Sequence, residues 1–158
     1  FIQTYQKRLP IKEAAAIICF NTAKWHYYQQ EFVEGLTLLA TCKVSVAYEL
    51  SIKDLELRII FELFLKDYDY RELLFAKIKT FEYYLRGSAT KTFVASKAIS
   101  YLNYLKILRA LAKRLVTKEA PLHIRKQFLP RLTEASNMIG KQWLLEKVEG
   151  LNNYRDIK

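Results

Sequence analysis

Glycine and proline are scarce in this chain, with four of the first and three of the second among its 158 residues. Folds built from many β-strands need many turns, and turns draw heavily on these two residue types. Their scarcity therefore argues against an all-β fold. Hydrophobic residues make up 51% of the chain, which is ample for a core, and a chain of about 100–200 residues usually forms one domain. We therefore predict a single α-helical domain over residues 1–158.

Cysteine and histidine are rare as well, with two of each. His26 follows Cys19 by seven residues and His123 is remote from both, so the paired spacings of a zinc site are missing. Also missing are the glycine-rich signatures of nucleotide-binding loops and the G-x-S-x-G elbow of serine hydrolases. We therefore predict a protein that is not an enzyme and has no metal site, no cofactor and no catalytic residue.

The two cysteines, Cys19 and Cys42, both lie within helical apolar patterns. We predict two buried free thiols in a reducing compartment, with a disulfide between them as the alternative. No hydrophobic run approaches the roughly 20 residues of a membrane span, and no signal peptide is visible. We therefore predict a cytoplasmic location and no membrane role. Because the chain begins with Phe1 rather than Met, we also expect a fragment of a longer protein.

Hydrophobic periodicity is what the chain has in abundance. Within the stretch 54–87, apolar residues recur at i, i+3, i+4 and i+7, which is the spacing of one helical face. The pattern predicts two antiparallel helices, of which the first is apolar on two faces. Asp69, with Glu72 three residues later, is predicted to cap the second helix. Gly87 is predicted to end that helix in the left-handed conformation.

A short internal repeat links this pair of helices to an earlier pair in residues 11–42. The segment EFVEGL at 31–36 matches DYRELL at 69–74, a separation of 38 residues. Each copy has an acid, an aromatic residue and a second acid, and each lies at the predicted turn between two helices. A period of this size in helix–turn–helix units is typical of an α-solenoid. Residues 43–53 are predicted to be a helix end and a linker.

On these residues the chain resembles the tetratricopeptide-repeat (TPR) family, whose units pair two short helices marked by aromatic and small residues. Phe32 with Gly35 carries the resemblance, together with Tyr70 and with Ala23 as a small packing position. The period of 38 residues departs from the family value of about 34, and no proline closes either unit. The resemblance implies an all-α fold of antiparallel helix pairs, stacked as a short right-handed α-solenoid with two TPR-like pairs within 11–87. The chain is also similar in style to the C-terminal helical regions of uncharacterised bacterial proteins.

Residues 88–158 are predicted to contain a long closing helix and basic C-terminal helices. The long helix, at about 91–116, has an apolar stripe in steps of three and four, and the stripe consists of Val94, Ala98, Tyr101, Leu105, Leu108, Ala112 and Leu115. Two further helices are predicted at about 121–136 and 141–151. Pro130 is expected to kink or split the first of them, because proline removes one helical hydrogen bond.

The TPR resemblance implies a non-enzymatic scaffold for protein–protein interaction. In that family the first helix of each pair lines a concave groove, which here implies a protein-binding groove formed by Lys24, Tyr27, Tyr28, Arg58 and Glu62. The alternative is that these five are ordinary solvated or partly packed helix residues. The expected partner is a protein or a peptide, which can be acidic, or the missing part of the same chain.

The net charge of +10 is unevenly distributed, since residues 88–158 carry fourteen lysines and arginines against five acids. We predict a basic strip of Lys106, Arg109 and Lys113 beside the apolar stripe of the long helix. The alternative function is therefore a nucleic-acid-binding helical module, in which Tyr101 or Tyr104 stacks on bases. No nucleic-acid motif is present, so a protein scaffold with a solvated basic face is the favoured prediction.

Overall fold

The computed structural model describes residues 11–42, 48–88 and 95–153. These residues form seven α-helices and two 3₁₀ turns without any strand, which confirms the predicted all-α class for this part of the chain. The helices are α1 (Ile11–Tyr28), α2 (Phe32–Thr41), α3 (Glu49–Lys66), α4 (Arg71–Ser88), α5 (Ala95–Val116), α6 (Pro121–Glu134) and α7 (Lys141–Glu149), and the 3₁₀ turns are Tyr68–Tyr70 and Gly150–Asn153.

The chain divides into two compact units, and the boundary lies between Tyr70 and Arg71. The N-terminal unit contains α1, α2 and α3, and the C-terminal unit contains α4 to α7. The boundary separates the two helices predicted as the second TPR-like pair. The first predicted pair is present as α1 and α2, whereas a TPR-like stack and a single domain stay predictions.

The N-terminal unit is built on the antiparallel hairpin of α1 and α2. At the turn, the rings of Tyr27 and Phe32 are 5.8 Å apart, and Gln30 takes a positive φ of 61°. Farther along the hairpin, Cys19 and Cys42 form a disulfide, with their Cα atoms 5.7 Å apart. The prediction of two free thiols is therefore wrong, and the alternative is the observed state. The turn lies midway between the two cysteines in sequence, so antiparallel packing brings them opposite each other.

Small residues let the three helices of this unit pack closely. Ala23 is fully buried on α1, as predicted for a small packing position. A Cβ atom added to Gly35 on α2 would lie 3.1 Å from Cδ1 of Ile59 and 3.4 Å from the carbonyl oxygen of Ala23. Glycine at this position therefore leaves room for α1 and α3 together. The buried core of the unit consists of Ala23, Phe32, Leu39, Ile52, Leu55, Ile59 and Leu63.

Helix α3 is buried on both of its apolar faces, as its sequence predicts. One face contributes Leu55, Ile59 and Leu63 to the core of the N-terminal unit. The other face carries buried residues as well, namely Leu57, Ile60, Phe61 and Phe64. The helix begins at Glu49, so the C-terminal part of the predicted linker is helical. The burial of Leu50 and Ile52 explains this, because both side chains pack as part of the helix. Val44 and Val46, in the same predicted linker, lie outside the described residues.

In the C-terminal unit, α4 and α5 pack through the predicted apolar residues. The α5 stripe is buried at Ala98, Tyr101, Leu105, Leu108 and Ala112, and half-buried at Leu115. Val94 lies outside the described residues. The α4 seam of Leu74, Ile78, Phe81 and Leu85 is buried too, and the ring of Phe81 contacts that of Tyr101 at 5.4 Å. The predicted stripe is therefore confirmed over its described length.

Two local predictions about helix ends are wrong, and a third is wrong in one of its two alternatives. Gly87 lies inside α4 and does not have a positive φ. Asp69 lies in the 3₁₀ turn, where its backbone N–H donates to Oδ1 of Asp67 at 3.0 Å, so Asp67 supplies the local side-chain acceptor. Helix α6 continues through Pro130, so the predicted split does not occur, and a kink at this proline stays a prediction. These predictions depend on residue type alone. At Gly87 and Pro130 the helix continues, and at Asp69 the neighbouring Asp67 accepts the hydrogen bond.

The connection between α6 and α7 packs directly against α5. Gly140 precedes α7 with a φ of 73°, and a Cβ atom placed there would lie 2.8 Å from the ring of Tyr104. Tyr104 is fully buried and meets the ring of Trp143 edge-on at 6.2 Å. Nζ of Lys141 donates to the carbonyl oxygens of Thr133 and Ala135, both at 2.8 Å. This lysine satisfies carbonyl groups at the end of α6, as basic residues near a helix C-terminus commonly do.

Candidate functional site

The five residues predicted to line a protein-binding groove have different environments in the N-terminal unit. Oη of Tyr27 donates to Oε1 of Glu62 at 3.4 Å, and Glu62 is only 6% exposed. Arg58 pairs with Asp54 on its own helix at 2.8 Å. Lys24 and Tyr28 are exposed, and Nζ of Lys24 lies 5.9 Å from the centroid of the Tyr28 ring. The structure thus brings Tyr27 and Glu62 together, and it leaves Lys24 and Tyr28 as the pair open to solvent.

An exposed aromatic edge lies at the C-terminal end of α1. The apolar pattern of α1 predicts that Trp25 packs inward, but Trp25 is 52% exposed and Tyr28 is 67% exposed, so that prediction is wrong. The ring of Trp25 meets that of His26 edge-on at 5.0 Å, and Nδ1 of His26 lies 2.7 Å from Oε2 of Glu31. The apolar rings on α1 therefore divide between core and surface, a distinction that residue type alone does not indicate.

A groove of about 430 Å³ lies in the C-terminal unit and is formed by α4 and α5. We call it the α4–α5 groove, and its lining residues are Glu82, Arg86, Leu102, Asn103, Lys106, Arg109, Ala110 and Lys113. All three residues of the predicted basic strip are among them. Lys106, Arg109 and Lys113 follow one another at i, i+3 and i+7, so they share one face of α5.

One ion pair organises the α4–α5 groove. Nη2 of Arg109 lies 2.8 Å from Oε2 of Glu82, and both side chains are partly buried. Arg109 is therefore neutralised by the opposite helix, and its long side chain is held in place. Arg86, Lys106 and Lys113 have no acidic partner among the described residues. The groove consequently presents three uncompensated positive charges around a neutral centre.

A smaller groove of about 250 Å³ adjoins the first one. It shares Asn103 and Lys106 with the α4–α5 groove and adds Arg131 from α6, and its remaining lining residues are Ile107, Ala135, Ser136, Asn137 and Met138. Nδ2 of Asn103 donates to the carbonyl oxygen of Asn137 at 3.0 Å. Asn103 therefore ties α5 to the segment after α6, and Lys106 borders both grooves.

The aromatic residues predicted to stack on bases are not the exposed ones of the C-terminal unit. Tyr101 and Tyr104 are both buried in the unit's core, so the interpretation of either as a stacking residue is wrong. Tyr83 on α4 is instead 80% exposed, and it lies one turn from both Lys79 and Arg86. Tyr83 does not line either groove. Sequence reasoning missed Arg86 and Glu82, because their relation to the basic strip depends on how α4 packs against α5.

No metal centre or membrane span is found in the part of the chain that the structure describes. Within residues 11–42, 48–88 and 95–153, no three or more His, Cys, Asp or Glu side chains are grouped in a way that could hold a metal ion. None of the helices described in these ranges combines the length and the apolar character needed to cross a bilayer. No protein-family model, curated protein or solved structure matches the chain. The properties of its surfaces are therefore what points to a function.

Proposed function

We propose that the chain is a non-enzymatic helical interaction module whose α4–α5 groove binds an acidic segment of a protein partner. The observation that carries this proposal is the separation of charge between the two units. Residues 71–158 hold eighteen lysines and arginines against seven acids, whereas residues 1–70 hold eight against nine. The whole excess of positive charge therefore belongs to the unit that contains the groove, and such a concentration attracts an anionic partner.

The lining of the groove favours a protein segment over a bare polyanion. Leu102 and Ala110 are half-buried members of the lining and offer apolar contact area between the charged side chains. Protein interfaces typically combine an apolar centre with a polar, charged rim. The uncompensated cations of Arg86, Lys106 and Lys113 would attract the acidic segment and fix its position along the groove. The apolar lining would contribute the surface area that binding removes from water.

Nucleic acid is the second candidate for the same surface. Tyr83 favours it, since an exposed aromatic ring beside Lys79 and Arg86 resembles the combination of stacking and phosphate contacts used for single strands. The burial of Tyr101 and Tyr104 weighs against it, because Tyr83 is then the one strongly exposed Tyr, Phe or Trp ring among the described residues of the C-terminal unit, and a stacking platform needs several. A protein partner therefore remains the primary proposal.

The TPR-like scaffold also stays a proposal, supported by the N-terminal unit. In that unit α2 and α3 pack around Gly35, and α1 contributes Ala23 to the same close contact. Lys24 and Tyr28 would be available to a partner on such a scaffold, whereas Glu62 would act mainly through its hydrogen bond to Tyr27.

The proposed cytoplasmic location depends on the redox state of Cys19 and Cys42. Persistent disulfides are typical of oxidising compartments outside the cytosol, so the observed bond weighs against that location. Thiol labelling of the protein inside its native cells tests the point. Two labelled thiols before reduction are expected for a cytoplasmic protein, and labelling only after reduction would contradict the cytoplasmic proposal.

The proposed function is tested with two double variants that change the net charge equally. Lys106→Glu with Lys113→Glu reverses two cations of the groove, and Lys97→Glu with Lys126→Glu reverses two exposed lysines outside it. Binding of a labelled acidic peptide is measured by fluorescence anisotropy at physiological salt. We expect the groove variant to weaken binding by about tenfold or more and the control by less than about threefold. Equal weakening by both variants would contradict a localised site.

A further inference from the structure

We infer that the occupant of the α4–α5 groove is an amphipathic α-helix of a partner protein with acidic residues at positions i and i+7 and apolar residues at i+3 and i+4. This inference rests on the proposed function and adds the conformation and the residue pattern of the partner. Three features of the groove carry it: the axial spacing of its cations, the neutral pair at its centre and its apolar lining.

The spacing of the cations matches a helix better than an extended chain. Lys106 and Lys113 are seven residues apart on one helix, which places their Cα atoms about 10.5 Å apart along the axis of α5. Acids at i and i+7 of a partner helix lying along α5 repeat this distance. In an extended segment, side chains on one face recur about every 6.7 Å. A spacing of about 10.5 Å falls midway between one and two such repeats, so an extended segment matches the two lysines less closely than a helix does.

The centre of the groove has no charge for an acid to meet. Arg109 lies between the two lysines in sequence, and its guanidinium is already paired with Glu82 at 2.8 Å. A partner acid at this level would approach the carboxylate of Glu82 and lose part of its attraction to Arg109. The arrangement therefore selects an uncharged residue between the two acids of the partner.

The apolar lining supplies the contact for that central residue. Ala110 lies one turn from Lys106 and nearly one turn from Lys113, and it is half-buried. Its small side chain lets another helix approach α5 closely, while Leu102 extends the apolar surface beyond Lys106. An apolar pair at i+3 and i+4 of the partner faces the same side as the acids at i and i+7. The preferred pattern is thus acid, apolar pair, acid.

Arg86 adds a third cation from the opposite wall of the groove. Since it projects from α4 rather than α5, it would meet the flank of a bound helix. A partner with a further acid on that flank should therefore bind more tightly. A nucleic-acid strand offers closely spaced phosphates without an apolar face, so it would leave Leu102 and Ala110 without a matching surface.

The test uses the full chain and three labelled peptides of about 18 residues, long enough for an appreciable helix population. All three have the same composition of Glu, Leu, Ala and Gln. The first has Glu at i and i+7 with Leu at i+3 and i+4, the second has Glu on alternate residues, and the third is scrambled. We expect the first peptide to bind about tenfold more tightly than the other two, measured by anisotropy.

A charge exchange tests the register of the bound helix. The variant Lys106→Glu with Lys113→Glu should lose the preferred peptide and should regain binding to a version with Lys at i and i+7. If the three peptides bind the unmodified chain with equal affinity and none of them binds this variant, the helical inference is overturned and the proposed function still stands. If the control Lys97→Glu with Lys126→Glu loses as much peptide affinity as the groove variant, the proposed function is overturned as well. Groove-dependent binding of an oligonucleotide below micromolar concentration would overturn both in favour of nucleic acid.

Discussion

Replacing Gly140 with alanine should strongly destabilise the C-terminal unit. Gly140 lies before α7 with a φ of 73°, in the left-handed region that side chains with a Cβ atom disfavour. The new Cβ would also lie 2.8 Å and 2.9 Å from two carbon atoms of the Tyr104 ring. Tyr104 is fully buried and its ring contacts that of Trp143. It therefore has little freedom to move away from an added methyl group.

The magnitude of the effect follows from two separate costs. A residue with a Cβ atom in the left-handed conformation costs about 1–2 kcal/mol relative to glycine. Forcing an added methyl group into a packed core costs about 1–3 kcal/mol. Together they predict a loss of about 2–5 kcal/mol in the free energy of unfolding, a large share of the about 5–15 kcal/mol typical of a folded domain.

Gly87→Ala is the matched control for Gly140→Ala. Gly87 lies within α4, has no positive φ, and an added Cβ atom would meet nothing within 4 Å. Alanine is the better helix former, so this variant should be stabilised by up to about 1 kcal/mol. The same chemical change therefore has opposite expected signs at two positions of one unit.

Urea unfolding monitored by tryptophan fluorescence measures both variants. The protein has two tryptophans, of which Trp25 lies in the N-terminal unit and Trp143 in the C-terminal unit. A Trp25→Phe background, at a position 52% exposed, leaves Trp143 as the reporter of the unit that contains both glycines. A loss below about 1 kcal/mol for Gly140→Ala, or equal shifts for both variants, would refute the described packing of Tyr104 on the turn.

Three further predictions concern the core, the disulfide and nucleic acid. Phe64 is 1% exposed, so Phe64→Ala should cost about 3–5 kcal/mol in the free energy of unfolding. The control Tyr83→Ala, at an exposed site, should change it by no more than about 0.5 kcal/mol. A thermal midpoint unchanged by Phe64→Ala would contradict the first expectation. Reducing the Cys19–Cys42 bond, which joins residues 23 apart, should destabilise the N-terminal unit by about 3 kcal/mol on the chain-entropy account. Equal urea midpoints with and without reductant would oppose that value. Short oligonucleotides should bind with a dissociation constant no lower than about 10⁻⁵ M at physiological salt, measured by a salt titration. Sub-micromolar affinity that Lys106→Glu with Lys113→Glu abolishes would contradict the preference for a protein partner.

Hydrophobic periodicity was sufficient to predict most of the helical architecture. The stripe on α5 and the two-sided burial of α3 follow from apolar residues at helical spacing, which indicates a buried face whatever that face contacts. Helix ends were less predictable, because they depend on single hydrogen bonds and backbone angles. Gly87 has the residue type of a helix end and yet continues α4, whereas Gly140 has the positive φ that glycine permits.

The candidate site was predictable on one wall only. Lys106, Arg109 and Lys113 share a helical face by their spacing alone, so the sequence was sufficient to place them together. Glu82 and Arg86 lie at least twenty residues before them, and only the packing of α4 on α5 brings them to the groove. The same limit explains Cys19 and Cys42, whose pairing depends on the hairpin, and Tyr101 and Tyr104, whose burial removes them from the surface.

A nuclear magnetic resonance titration tests most directly whether the α4–α5 groove is the binding surface. The isotope-labelled chain of residues 1–158 is titrated with the peptide that has Glu at i and i+7, and backbone amide shifts are recorded for the described residues. We expect the largest changes at residues 82–86 and 102–113, with little change at Trp25 or Tyr28 in the N-terminal unit. Changes spread evenly over the lysines of the C-terminal unit, or centred on the exposed aromatic edge of α1, would contradict the groove as the site of binding.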